Sequence, residues 1–322
     1  MSDDEKYLDD LEFYEEKFSR TPPGRKGVKR KHDARPERAI EEAGLSGPTG
    51  AAASWIMTYV PARFEAVWLR ASLASFYEEQ WISDVLARVK GGKEANVYRC
   101  QAHPHTGEEL LAAKVYRPRQ FRNLRNDQAY RDGRTILTPE GRPVKHADQR
   151  LMRAIGKKTS FGQQLSHSSW LMHEFTTLER LYSLGAAVPK PVAANDNALL
   201  MGYCGDDRQA APTLSGVRLG ARVAQRLFEE ALRNIELMLA QGYIHGDLSA
   251  YNILYWEGRI TLIDFPQVTY VATNRNARAI FERDVTRVCD YFLAQGVRIE
   301  PSQLAAELWE RHTDIDQDDT IR

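Results

Sequence analysis

The segment YIHGDLSAYNILYWEGRITLIDF, residues 243–265, sets Asp247, Asn252 and Asp264 at the ends of two short apolar runs. Asp247 follows an apolar turn and Asn252 comes five residues later, so one loop leading into NILYW can bring both side chains toward one point. Asp264 closes the next run, ITLID, across the turn EGR; an antiparallel hairpin would set it near Asn252. An amide oxygen and a carboxylate there are hard oxygen ligands, which suit Mg²⁺ shared with substrate phosphates. Asp247 is then left to accept a proton or orient a nucleophile. Any one of these residues taken alone caps a turn. The ordered set is what carries chemistry.

The order HGDLSxxNIL followed by IDF resembles the catalytic and metal-binding loops of protein-kinase-like phosphotransferases. That resemblance asks for further parts upstream. AAKVY supplies Lys114 in an apolar strand, and HEFTTLERL supplies Glu174 on a helix, where an ion pair with Lys114 is expected. Singly, Lys114 is an ordinary strand lysine and Glu174 a solvated helix residue; in order they cease to be independent. GGKEANVY stands where a phosphate-covering loop belongs, with Gly91 and Gly92 letting backbone approach phosphate and Lys93 adding charge. It is not G-x-G-x-x-G, since Ala95 and Asn96 occupy the later positions.

These departures are informative. GKEANVY, HGDLSAYNIL and LIDFPQ together resemble the RIO family of atypical Ser/Thr kinases, over about residues 76–296, and AAPTL with the long basic insert resembles bacterial members. The resemblance implies ATP with Mg²⁺, or Mn²⁺ in its place. By position it makes Asp247 the catalytic aspartate and gives Asn252 and Asp264 the metal; in some members the aspartate at the Asp264 position is itself transiently phosphorylated. Gly92, Lys93, Glu94 and Val97 would cover the phosphates, and Lys114 would contact them while paired with Glu174. Ser249 replaces the catalytic-loop lysine of ordinary protein kinases. Met201 would guard the adenine pocket, the main chain of Gly202 and Cys204 would bond the base, and Leu254 would lie beneath it. His245 would brace the loop. No A-P-E follows Asp264, so an activation segment is missing, and serine phosphorylation of a protein, autophosphorylation or ATP hydrolysis are the expected outcomes.

The elements that must hold these residues can be read from periodicity. Phe76, Trp81, Ile82, Val85, Leu86 and Val89 fall at helical spacing, so YEEQWISDVLARVKGG reads as a helix ended by Gly91 and Gly92. ANVYRCQ and LLAAKVYR read as a strand pair across a polar turn. Leu171, Phe175, Leu178 and Leu181 give a helix that stops at Gly185; ALLMGYC is a buried strand, and RVAQRLFEEALRNIELMLAQG an amphipathic helix. NARAIFERDVTRVCDYFLAQG and PSQLAAELWERH close the chain as two helices. The expected class is α+β, a two-lobed kinase-like fold with a small antiparallel N-lobe sheet and a mostly helical C-lobe. The expected organisation is a disordered tail over 1–50, N-terminal helices over 51–90, an N-lobe with a flexible basic insert over 91–200 and a C-lobe over 201–322.

The 322 residues suffice for two lobes at roughly 100–200 residues per domain. Lys+Arg and Asp+Glu are both 44, so no global field points to nucleic acid or anionic lipid. Basic segments near Lys29 and Lys157 suit weak rRNA or ribosome association. Cys100, Cys204 and Cys289 form no C-x-x-C pair and read as reduced thiols. With an acidic N-terminus and no long apolar run, a cytoplasmic protein with no membrane contact is expected. Two other readings remain. Small-molecule kinases of the aminoglycoside or choline type share HGDLxxxN and IDF, but not GKEANVY or DFPQ. A nucleotide-regulated binding module that has lost catalysis is opposed by the intact catalytic positions.

Overall fold

The computed structural model describes residues 55–92, 94–117 and 160–313. Its first half is a five-stranded antiparallel sheet in the order β1-β2-β3-β5-β4. The strands are β1 (Ile82–Gly91), β2 (Ala95–Ala102), β3 (Leu110–Tyr116), β4 (Pro191–Ala194) and β5 (Ala198–Gly202). Helix α1 (Arg63–Glu78) buries Leu69, Leu73 and Phe76 against Ile82, Val85, Tyr98 and Val115 of the sheet. Helix α2 (Ser160–Ser183) lies toward the other lobe, burying Trp170, Leu171 and Phe175 with Tyr116 and Leu199.

The second half is built on α3 (Ala221–Ala240), α4 (Ala277–Ala294) and α5 (Pro301–Thr313). Between α3 and α4 run β6 (Tyr243–Ile244), β7 (Ile253–Trp256), β8 (Arg259–Leu262) and β9 (Thr269–Tyr270), paired as β6 with β9 and β7 with β8. The apolar faces of the three helices enclose this core: Leu227, Phe228 and Ile235 of α3, Phe281, Val285 and Phe292 of α4, and Leu308 of α5 pack around Ile253, Ile260 and Leu262 of the hairpin. The two-lobed α+β arrangement expected from the sequence is present. Among the described residues no helix is long and apolar enough to cross a membrane.

One element differs from its reading. Residues 82–91 are strand β1, not the second half of a helix, so the sheet begins nine residues before the expected N-lobe boundary at 91. The cause lies in three register shifts against β2, between Ile82 and Asp84, Val85 and Ala87, and Arg88 and Lys90. Each bulge inserts a residue into the two-residue alternation, so inward-facing positions fall three apart and imitate a helical face. Ile82 and Val85 are both fully buried and three residues apart. The helix itself ends earlier, where Gln80 takes φ 63 and the chain turns into the strand. The tail over 1–50, the basic insert before α2 and its residue Lys157 lie outside the described residues, as does Lys93.

Candidate active site

The site forms where β3, α2 and the β7–β8 hairpin meet. Alternation along β3 sends Leu111, Ala113 and Val115 into the upper core and Lys114 and Tyr116 to the opposite face. There the Lys114 Nζ donates to Glu174 Oε1 at 2.6 Å and to Asp264 Oδ1 at 2.5 Å. The Tyr116 hydroxyl donates to the other Glu174 oxygen. One ammonium thus ties a sheet strand, a helix and the end of a hairpin together across the cleft between the lobes.

The electrostatics follow from burial. Desolvation acts to lower the Lys114 pKa, but the charges of Asp264 and then Glu174 outweigh it and hold Lys114 well above the usual lysine value. Burial alone would raise the Asp264 carboxyl, yet Lys114, with His245 and Lys90 at longer range, holds it below the ordinary aspartate value. Burial and the Glu174 carboxylate push the Tyr116 phenol well up, keeping it a donor. Asp264 keeps 43 % side-chain exposure, whereas Glu174 keeps 4 %. The Asp264 backbone sits at φ 73, a left-handed conformation that aspartate tolerates better than most residues.

The catalytic loop is held from behind. His245 pairs through Nε2 with the Ile263 carbonyl at 3.1 Å and through Nδ1 with the Asp247 amide, 3.4 Å away, so the ring braces the loop from behind. Gly246 adopts φ 86, and a Cβ there would lie 2.2 Å from the Gln267 carbonyl oxygen, so only glycine fits. Its N–H donates to Asp284 Oδ2 of α4 at 2.8 Å, and its carbonyl accepts from Arg283. Burial raises the Asp284 pKa, against the lowering influence of His245 and Arg283. Ser249 caps the short 3₁₀ turn Ala250–Asn252 by accepting the Tyr251 amide. The Asn252 side chain donates to the Asp247 carbonyl at 2.8 Å, leaving its amide oxygen without a donor among the described residues. Ile263 donates its N–H to the Asn252 carbonyl at 3.0 Å, so the hairpin brings Asn252 and Asp264 side by side as its pattern required.

These donors fit a hard divalent cation. One amide oxygen and one half-exposed carboxylate form an incomplete shell, which suits an ion that keeps waters and shares substrate phosphates. Among the described residues no three His, Cys, Asp or Glu side chains gather into a closed metal cage.

The other expected residues among those described are held by the sheet and its turns. Gly92 turns tightly at the end of β1: its N–H donates to Asn96 Oδ1 at 3.3 Å, and a Cβ there would stand 2.7 Å from the Ala95 carbonyl oxygen. The Glu94 carbonyl accepts from Arg117 N, and Val97 pairs with both Lys90 and Lys114. Met201 and Gly202 end β5; Met201 packs against the cores on both sides, and the Gly202 N–H donates to the Lys190 carbonyl at 2.8 Å. The Cys204 carbonyl accepts from Ala211 N, and its thiol, pushed up by burial, contacts Thr261. Thr261 pairs with Leu254 across the hairpin, so the residue that Cys204 touches is the direct cross-strand neighbour of Leu254.

Three contributors were not read from the sequence. Tyr116 could have been, because it lies two residues from Lys114 on the same strand face. Asp284 and Arg287 could not: the first binds a backbone N–H, and the second reaches Asp247 Oδ1 at 2.8 Å from a helix 40 residues away.

A family model described as the RIO domain matches residues 140–304, just over half of the chain. The chain belongs to the RIO family. Among curated RIO proteins, "Serine/threonine-protein kinase RIO1" of Chaetomium thermophilum is 30 % identical over 227 residues, covering 67 % of this chain and 40 % of that protein. "RIO-type serine/threonine-protein kinase Rio1" of Haloferax volcanii is 31 % identical over 222 residues, 67 % of this chain and 66 % of that protein. The chain therefore spans between 40 % and 66 % of these two RIO relatives' lengths. Among solved structures, a Rio2 kinase from Chaetomium thermophilum, described as an ADP/Mg²⁺-phosphoaspartate complex, superposes with a TM-score of 0.51 at 19 % identity. It covers 81 % of this chain and 72 % of that one, a likeness of fold.

Proposed function

We propose that the protein is a RIO-type ATP-dependent phosphotransferase that moves the γ-phosphate of ATP to a serine of a protein or of itself, or to water. The observation that carries this reading is Lys114, clamped between Glu174 and Asp264. That arrangement presents an ammonium where α- and β-phosphates would lie and a carboxylate oxygen beside the Asn252 amide. Bound Mg²⁺ would neutralise charge on the β- and γ-phosphates. Asn252 and Asp264 would hold it, and the turn at Gly92 would let backbone amides approach the phosphates from above. Asp247 would orient the acceptor hydroxyl and take its proton as the oxygen attacks phosphorus and the bond to ADP breaks. Positioning and electrostatics supply most of such a rate.

The phosphoaspartate of the Rio2 complex supports a second outcome at the same site, in which an Asp264 oxygen attacks the γ-phosphorus and water later clears the acyl phosphate. Incubation with Mg·ATP followed by intact-mass and peptide mass spectrometry separates the outcomes. A gain that survives hydroxylamine and maps to serine supports kinase action; a hydroxylamine-labile gain on Asp264 supports ATPase action. Neither gain, with no ADP release, would remove the proposal and leave a nucleotide-regulated binding module.

The basic insert and AAPTL support placement in the bacterial branch, and three free thiols support a cytoplasmic location. Weak rRNA association through the segments near Lys29 and Lys157 rests on charge alone; its test is ribosome co-sedimentation at low and high salt.

A further inference from the structure

In the cleft three carboxylates, Asp247, Asp264 and Glu174, face two cations that touch them, Lys114 and Arg287. Lys114 is enclosed, with 12 % of its side chain exposed and its ammonium committed to two carboxylates. A transferring phosphoryl group would bring more negative charge to the Asp247 end, where Ser249 is uncharged and already occupied as a turn cap. Arg283 at that end is engaged by the Gly246 carbonyl and Asp284, and Arg287 is the cation that touches Asp247. It donates through Nη1 to Asp247 Oδ1 at 2.8 Å, and both side chains are 44 % exposed at the cleft mouth.

Its backbone is anchored. Arg287 follows Asp284 by three residues on α4, so the two side chains lie on adjacent turns of one helix face. Asp284 is fastened to the Gly246 amide, and Val285 and Val288 are buried in the core. The helix therefore fixes the Arg287 backbone beside the loop, and the pair with Asp247 orients the guanidinium. A guanidinium carries five N–H donors, and among the described residues only Asp247 takes one, which leaves a fork matched to phosphate oxygens.

We propose that Arg287 is a catalytic residue that grips the phosphoryl group in flight, supplying from α4 the positive charge that ordinary protein kinases place two residues after the catalytic aspartate. The inference rests on the phosphotransferase reading above. Arg287 keeps one nitrogen on Asp247 and turns another pair to equatorial oxygens of the γ-phosphoryl. Meanwhile the acceptor oxygen bonds to phosphorus, the phosphorus–oxygen bond to ADP breaks and the acceptor proton passes to Asp247. Charge stabilisation is needed most in the transition state, so Arg287 should matter little for the ground state.

The test compares binding of Mg·ADP with binding of Mg·ADP plus aluminium fluoride, a mimic of the transferring phosphoryl, by calorimetry on wild type, Arg287→Ala and Arg287→Lys. Because the pair is half exposed, both variants should fold with a thermal midpoint near wild type. Mg·ADP affinity should stay within about twofold, whereas the tightening by aluminium fluoride should fall at least tenfold in Arg287→Ala and recover in part in Arg287→Lys. Turnover should fall in parallel, with KM for ATP unchanged. An unchanged aluminium fluoride increment in Arg287→Ala overturns the inference, as does faster turnover, which would make Arg287 a mask over Asp247. Failure of wild type to bind Mg·ADP strikes the phosphotransferase reading itself, a separate outcome.

Discussion

Replacing Lys114 with methionine keeps the aliphatic volume in the cleft and removes the one charge that three elements share. The Glu174 carboxylate, 4 % exposed, would then keep only the Tyr116 hydroxyl among its described partners, while Asp264, 43 % exposed, could rehydrate. Breaking a buried ion pair by removing one partner costs roughly 3–5 kcal/mol. Rehydration of Asp264 and the surviving phenol bond reduce this to about 2–3 kcal/mol, or about 3–5 °C in thermal midpoint for a chain of this size. Urea unfolding at pH 7 measures it. The control is Lys190→Met, which breaks the Lys190–Glu108 pair at 44 % and 34 % exposure and should cost below about 1 kcal/mol. Adding Glu174→Leu to Lys114→Met should restore part of the loss, because no buried carboxylate is left alone. If Lys114→Met is as mild as Lys190→Met, or the double variant loses the sum of both singles, the clamp does not carry the lobe junction.

Gly246→Ala should lose at least about 2 kcal/mol in urea unfolding, since alanine at φ 86 is strained and its Cβ would meet the Gln267 carbonyl. Among the cysteines, Cys204 is half-buried where Cys100 and Cys289 are buried, and Cys289 is pushed up to about 12 by burial; the proposed function sets Cys204 beside the adenine. A thiol reagent at pH 8 should therefore modify Cys204 first, and Mg·ADP should slow that reaction. The lowered Asp264 pKa makes its pairing a source of stability that is present above the unfolded value of about 3.9 and is lost as pH falls through the folded value. The stability gap between wild type and Asp264→Asn should accordingly be widest near neutrality and close below about pH 4 by urea midpoints.

Most of the site was legible because its residues sit at fixed offsets inside short segments. HGDLSAYNIL and LIDF place Asp247, Asn252 and Asp264 by local turn and hairpin geometry alone. Lys114 and Glu174 became readable once that order was in hand, and the structure joins them at 2.6 Å. The helices α2 to α5 were legible through their apolar faces. Strand β1 was not, because three bulges disguise its alternation as helical spacing. Arg287 and Asp284 were hidden for another reason: on an amphipathic helix, an arginine and an aspartate look like solvated residues until the fold shows a catalytic loop against them. Asp284 is 3 % exposed and holds a backbone amide, a role with no spacing signature.

The central claim is that this cleft binds Mg·ATP and that Asp247 then drives transfer. Single-turnover release of ADP from saturating Mg·ATP, compared between wild type and Asp247→Asn, tests it most directly. Asparagine keeps the side-chain shape but cannot take the acceptor proton, so the account predicts nucleotide binding near that of wild type and a rate lower by about 10²–10⁴-fold. An Asp247→Asn protein that releases ADP as fast as wild type would contradict it.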